Sequence, residues 1–580
     1  MAVEGGRQPF VLFLSMTLAS FMRKPKQLFP ILLASFFLYQ AVHAEQPQVD
    51  YMYPAGAEQG TTVTLTIGGK LDPWPLSFWS SCPDLVPEAG GKKGIVTIRV
   101  PPKVPLGPHL IRGYNAEGAS KPRTFIVGNI GEIIEKETND HFRDAQKIEK
   151  TPITINGQLS KSGDTDSYSI ELKKGQWLIA KVESYGIGSP LDSSLHLRDA
   201  NGYRLDEALD SQNLDPFLAY QAKRDGVHVL QISGFAHPPR FDVRLYGTGA
   251  AVYRLSVYTG PYVRYSMPLA IHRNAAASVR LHGWNMNAEG AYPLSSDLDA
   301  SALAPGCESH SFPLAQAENL LEIMVRDTPQ IVEAEPNNKR EEAQVVSIPV
   351  GISGHIGKKN DRDWFSIDAK KGRTIRFDLR SWSLGFDLDA VLTIYDAEGK
   401  NISTSDDAGK DLDPKLTWSS PADGNYTLEV RDRYGKGGPD FAYHLEMVDA
   451  APGIKAVAGS DNVRLDHGAT TTLKVTVSRI DGDRTPLIAT AVDLPDGVIS
   501  TSARVPEKGG DVTLTLSADE TVKNHSGLFR ILLLGTDPST PRIQQAQASL
   551  DLELPVGKQL IEATDRLWLT VVAAKPEKKS

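Results

Sequence analysis

Two sets of oxygen-bearing side chains recur in this chain at matching spacing. The first is Glu135, Glu137, Asn139 and Asp140, followed by Asp164 and Asp166. The second is Glu333, Glu335, Asn337 and Asn338, followed by Asp361 and Asp363. Carboxylates and carboxamides are hard oxygen donors, and Ca²⁺ takes about six to eight of them. In an extended segment alternate residues share a side, so Glu333, Glu335 and Asn337 are expected to face one way. Helix or turn capping and solvation as ordinary loop acids are the structural alternative for the same residues.

Other chemistry is poorly represented. The chain has no HExxH, GxSxG or GKS/GKT pattern, so metallopeptidase, serine-hydrolase and P-loop readings lack their usual carriers. Cys82 and Cys307 have no metal-ligand spacing; a disulfide and two separate thiols both remain open. Asp192 and Asp389 stand where an acid more often holds a turn than performs catalysis. Trp364, Trp382 and Trp418 read either as a sugar or peptide platform or as core. Trp364 and Phe365 are neighbours in an alternating segment, so one of them points outward.

The elements that position the acids come from a duplication spanning 135–257 and 333–447. Gly157 and Gly354, Gly175 and Gly372, Asp192 and Asp389, Gly202 and Gly399, Asp215-Pro216 and Asp413-Pro414, and Gly226 and Gly424 follow at corresponding places. Between them SYSIEL, LIAKVES, LHLRD, VHVLQIS and YRLSVY alternate apolar with polar residues. Period two predicts strands with one buried face, and the intervening glycines predict turns. Many short strands in one repeat predict a two-sheet sandwich or jelly roll.

A shorter echo links 46–128 with 261–331. Tyr51-Met52-Tyr53-Pro54 matches Tyr265-Ser266-Met267-Pro268, and Gly69 and Gly283 follow at equal distance. Residues 453–575 hold a further set of alternating strands, including TTTLKVTVSR and DVTLTLSAD. The expected organisation is therefore all-β: a leader at 1–44, small sandwiches at 45–128 and 261–331, larger ones at 129–260 and 332–452, a last one at 453–575, and a tail at 576–580.

Composition agrees. A chain of 580 residues with 49 glycines and 38 prolines is too long for one core and rich in turn residues. Its formal charge of −9 gives no basic face for nucleic acid. Met22-Arg23-Lys24-Pro25-Lys26, the apolar run to Val42 and the small Ala44 have the order of a signal peptide cleaved after Ala44, with an uncleaved anchor as the alternative. No later stretch is apolar enough to span a bilayer. The expected location is secreted, cell-surface or periplasmic.

The ExExPNN segment, the glycine, GDxDxY/F, LD, DxxG and DGxYxLxV together resemble the bacterial pre-peptidase C-terminal domain, twice. That family is similar to the collagen-binding domains of clostridial collagenases. The first copy departs at Thr138, where the motif has proline, and at His228, where it has an aromatic residue. The small segments resemble Ig-like modules of IPT/TIG type. The resemblance implies calcium held between the entering segment and the sandwich by the twelve residues named above. It also implies a non-catalytic, secreted binding or display role toward an extracellular protein or polysaccharide. An accessory subunit of a secreted or surface hydrolase complex is the alternative, and a hydrolase built on a β-sandwich is a third reading.

Overall fold

The computed structural model describes residues 45–573 apart from 212–213, 240–243, 287–293, 304–306, 408–411, 538–541, 551–559 and 562. The expected leader at 1–44 and the tail at 576–580 lie outside the described residues. Those described form an all-β chain whose helical content is three 3₁₀ turns, Tyr185–Ile187, Arg340–Glu342 and Trp382–Leu384. No helix among them is long and apolar enough to cross a membrane.

The alternating segments all lie in strands: Asp166–Leu172, Trp177–Glu183, Leu191–Asp199, Gly226–Ala236 and Val252–Tyr258. Their apolar faces meet in one core with Ile155, Tyr168, Leu195 and Leu230 at its centre. One sheet has the order 132–134, 153–158, 252–258, 177–183, 217–221; the other has 146–147, 166–172, 226–236, 191–199, 204–208. The second repeat has the same two orders. They are 330–332, 350–355, 442–449, 374–380, 415–419, and 344–345, 362–369, 424–432, 390–395, 401–405.

In both repeats the entering chain adds as a parallel edge strand to one sheet and then crosses to the edge of the other. Glu132–Ile134 runs beside Ile153–Gln158, and Gln146–Lys147 beside Asp166–Leu172. Gln330–Val332 and Gln344–Val345 repeat this against Val350–His355 and Arg362–Ala369. The acids lie in the crossing. Glu135 N–H donates to Asn156 O of one sheet, and Ser167 N–H of the other sheet donates to Asn139 O. Glu333 with Ser353 and Asn337 with Trp364 make the same two bonds. The acidic stretch is thereby tied at both ends.

Three smaller sheet pairs surround separate cores. The pairs in 48–128 and 262–326 open alike. Gln48–Tyr53 pairs with Thr62–Lys70, Tyr262–Met267 pairs with Ala276–Trp284, and each pairing slips at the same place, between Val49 and Tyr51 and between Val263 and Tyr265. Gly69 and Gly283, the matching glycines, face Val49 and Val263 across these bulges. A Cβ at either would overlap the opposite backbone, which is why the echo retains glycine. The last pair packs around Leu473, Val475, Leu514, Phe529 and Leu569. Cys82 is buried, Cys307 is half-buried, and both are free thiols, which settles the two alternatives in favour of unpaired cysteines.

Several strands depart from period two, among them Leu567–Val572, buried throughout, and Val252–Tyr258. Every residue of Val252–Tyr258 is buried. Its second face is covered by neighbouring elements: Val252 packs with Ala55 and Ile126, and Tyr258 with Tyr262. Between them Arg254 bonds both oxygens of Glu132.

Candidate metal centre

Of the six oxygen-bearing residues in each repeat, three carboxylates converge most closely. One oxygen from each of Glu137, Asp164 and Asp166 lies within 4.8 Å of the others, and Glu335, Asp361 and Asp363 form the equivalent group. Asp164, Asp166, Asp363, Asn139 and Asn337 have no exposed surface, and Asp361 has 5%. In each repeat one oxygen of each aspartate is occupied. Asp164 Oδ2 accepts from the Ser160 N–H and hydroxyl, and Asp361 Oδ2 accepts from Gly357 N–H. Asp166 Oδ2 and Asp363 Oδ2 accept from Tyr253 and Tyr443. The opposite oxygen of all four is buried without a hydrogen-bond partner, and so are the side-chain oxygens of Asn139 and Asn337.

A buried polar atom with no partner is costly, and several in one place are unusual in a folded protein. Here most are carboxylate and carboxamide oxygens, with the amide nitrogens of Asn139 and Asn337 beside them. A hard cation satisfies clustered carboxylate and carboxamide oxygens and also offsets their charge, which an apolar group cannot do. The residues therefore fit a divalent oxygen-binding cation.

Glu135 and Glu333 take a different place from the one alternation suggested. Glu333 Oε1 accepts from His355 N–H and Oε2 from Tyr443. Glu135 accepts from Gln158 N–H, Tyr253, Tyr168 and Tyr53. These glutamates sit behind the converging group and share the tyrosine with Asp166 or Asp363. Burial, then the facing glutamate, pushes the carboxyls of Asp166 and Asp363 well up; burial does the same to Glu135 and Glu333. Asp140 and Asn338 lie at the rim: Lys161 holds Asp140, and Asn338 donates to Glu335.

Tyr253 and Tyr443 were not singled out from the sequence. Both occupy the same place in the last strand of their repeat, where any large apolar residue would fill the core. The readable signal is the paired glycine. A Cβ at Gly157 or Gly354 would overlap the phenol of Tyr253 or Tyr443. Asp215 and Asp413 were visible only as Asp-Pro pairs. Each accepts three consecutive backbone N–H groups, from 184–186 and 381–383, and closes a 3₁₀ turn.

Asp192 and Asp389 join neither metal group. The three tryptophans form no common platform. Trp418 belongs to the core, Trp364 lies against Tyr395 on the opposite face from the core residue Phe365, and Trp382 is exposed on its 3₁₀ turn.

These features define a protein of linked all-β sandwiches, two of them carrying a buried acidic pocket where the chain enters. Residues 361–432 match the bacterial pre-peptidase C-terminal domain, and a domain of that family is present there. Over 99 residues the chain is 38% identical to a probable subtilase-type serine protease from Deinococcus radiodurans. That match takes in 17% of this chain and 14% of the protease. A solved protein from Eubacterium rectale, described as secreted, is similar at 13% identity and a TM-score of 0.16, covering 30% of this chain and 68% of that one.

Proposed function

We propose that the chain is a secreted, non-catalytic binding or display protein whose two larger sandwiches hold Ca²⁺. The observation that carries the metal reading is the duplicated convergence of buried oxygens without a hydrogen bond at Asp164, Asp166 and Asn139 and at Asp361, Asp363 and Asn337, of which Asp164 and Asp361 also meet Lys161 and Lys358 at 3.6 and 4.0 Å. Glu137 and Glu335 complete each group from the exposed side. Ca²⁺ rather than Mg²⁺ suits a cage of many protein oxygens, because Mg²⁺ keeps most of its waters. The first sandwich, with its matching strand order, is read as a second copy of the pre-peptidase C-terminal domain, and the smaller sheet pairs as Ig-like spacers.

Bound calcium neutralises the clustered acids and ties the crossing segment to both sheets. The protein matched in Deinococcus is a protease, which supports the alternative role as an appendage or accessory subunit of a secreted hydrolase. The test is a thermal melt of the full chain in EGTA, Ca²⁺ or Mg²⁺, beside Asp361→Ala/Asp363→Ala. At ten times its dissociation constant calcium adds about 1.4 kcal/mol per site, a rise of a few degrees. Equal melting in EGTA and millimolar Ca²⁺, with no calorimetric binding, removes the calcium reading. Turnover on peptidase or glycosidase substrates that a single acid substitution abolishes removes the non-catalytic one.

A further inference from the structure

The two small sandwiches that open alike do not close alike. In the first, one sheet runs Gln48–Tyr53, Thr62–Lys70, Ile95–Arg99 and is finished by Val86–Ala89, antiparallel to Ile95–Arg99. In the second, the matching sheet runs Tyr262–Met267, Ala276–Trp284, Leu294–Asp299, and no further strand pairs with it among the described residues. Register makes Asp299 the counterpart of Arg99: they pair with Ala276 and Thr62, which stand equally far before Gly283 and Gly69. Asp299 follows Gly283 by 16 residues, whereas Arg99 follows Gly69 by 30. The shortfall falls on the hairpin that carries the closing strand and the core residues Leu76 and Leu85. Leu294 and Phe312 are left half-buried at the margin of the second core.

Antiparallel pairing alternates, which fixes the backbone groups that face the open edge. Ala300 N–H donates to Ala275 O, so Leu294, Ser296 and Leu298 turn their backbone groups toward Ala276–Trp284. Those of Ser295, Asp297 and Asp299 face out. The first sandwich fills the same three places: Gly90 N–H donates to Ile95 O, Glu88 lies across from Thr97, and Val86 across from Arg99. Proline commonly guards a free edge, because it has no N–H to offer an incoming strand. The closing strand of the first sandwich turns Pro87 outward, and the other edge of the second sandwich, Ser309–Pro313, turns Pro313 outward. Leu294–Asp299 has no proline.

We propose that Leu294–Asp299 accepts an added antiparallel strand from another protein, an extended segment in which apolar residues alternate with basic ones. The inference rests on the reading of the chain as a binding protein and names one surface and one partner class. Main-chain bonds to Ser295, Asp297 and Asp299 give affinity, and the side chains that meet across the two strands give specificity. Leu294, Ser296 and Leu298 face the core side, so the inward residues of the segment are apolar, as Pro87 and Ala89 are in the first sandwich. Asp297 and Asp299 are exposed on the other face, where the first sandwich has Thr97 and the cation Arg99. The charge is reversed at that place, so the outward residues of the segment are lysine or arginine. The net charge of −9 attracts such a segment at longer range.

Fluorescence anisotropy tests this with a labelled, end-capped peptide of alternating lysine and valine, titrated with the full chain at about 0.15 M salt. Serine in place of valine keeps the charge and removes the apolar face; glutamate in place of lysine reverses the charge. Each change should weaken binding at least about tenfold. Two further peptides are N-methylated, one at every lysine and one at every valine. In the antiparallel arrangement the lysine N–H groups face the edge, so the first should not bind and the second should stay within about threefold of the parent. Asp297→Lys/Asp299→Lys should weaken the parent peptide at least about tenfold, and Asp297→Pro, which removes an outward N–H only, should do the same. The N-methylated pair is read on the unaltered protein and decides the matter if a variant folds poorly. No binding of the parent peptide, equal binding of the serine peptide, or binding that survives the aspartate changes overturns the proposal. So does equal binding of the two N-methylated peptides, or the reverse preference between them. Calcium-dependent melting and substrate turnover do not involve this edge, so failure here and failure of the metal or non-catalytic reading are separate results.

Discussion

At the scale of single residues, Asp363 has two tasks that oppose each other. One oxygen accepts from Tyr443, and the other is buried without a partner. Burial and the facing Glu333 raise its pKa, so its ionised form is a liability until a cation arrives. Asp363→Asn should therefore reverse the balance. In EGTA at pH 8 the variant is expected to melt at the wild-type temperature or above it. In Ca²⁺ it should lose most of the calcium-induced rise, with affinity at the second site down at least about tenfold. Paired melts with and without chelator check this. A variant that loses stability equally in both conditions would make Asp363 a purely structural acid. Glu333 and Glu335, two residues apart, part company: Glu333 accepts from Tyr443 and from His355 N–H, whereas Glu335 accepts from Asn337 N–H and the Asn338 amide beside the aspartates.

At the scale of elements, equivalent strands of the two large sandwiches differ in charge on their outer faces, one carrying a cation and the other a neutral histidine. Val252–Tyr258 presents Arg254 to Glu132 at 2.8 Å and to Glu183 at 3.6 Å. Ala442–Asp449 presents His444 at the equivalent place, bonded through Nε2 to Gln330. Burial first, then Arg326 and Arg380, lowers the His444 pKa to about 3. Glu446 and Asp378, the acids nearby, leave that depression in place. A histidine kept neutral in the fold takes up its proton on unfolding near pH 6.5, so stability falls as pH drops from about 6.5 toward 3. Between pH 7 and pH 5 this one group costs about 2 kcal/mol. His444→Gln should remove that share of the acid sensitivity. Hydrogen exchange in Ala442–Asp449 at the two pH values checks it; equal losses in both proteins would mean that the carboxylates alone govern the acid side.

At the scale of the whole molecule, contacts also join sandwiches that are distant in sequence. Arg112 and Asp461, 349 residues apart, form an ion pair of 2.6 Å. The arginine side chain is 1% exposed and the aspartate 15%. The guanidinium lies 5.6 Å from the Trp568 ring, which also meets Tyr114 at 4.8 Å. Asn462 and Arg464 add bonds to the carbonyls of Ala119 and Glu117. The last sandwich thus packs on the first. Arg112→Ala should cost about 3 kcal/mol, toward the low end for a buried pair because Asp461 keeps some solvent. Faster hydrogen exchange at both Gly118–Ala119 and Asn462–Asp466 is expected. Arg112→Met/Asp461→Asn should recover much of the loss, since neither charge is then stranded. Exchange confined to one sandwich would show that the two do not depend on each other.

Alternation, turn glycines and the duplicated acids were legible from the sequence because they are short-range. A strand reports its buried face every second residue, and a repeat reports its spacing by self-comparison. This was enough for the all-β class, the paired sandwiches and the position of the acids near the chain entry. Three things needed the tertiary structure. Which acids converge depended on Tyr253 and Tyr443, which reach the entry segment from the far end of each repeat. The full burial of Val252–Tyr258 depended on neighbouring sandwiches that cover its polar face. The Arg112–Asp461 contact depended on packing across most of the chain. In each case the deciding partner is remote in sequence, so no local pattern encodes the choice; it is made by desolvation and by the lack of any other partner once the sheets have closed.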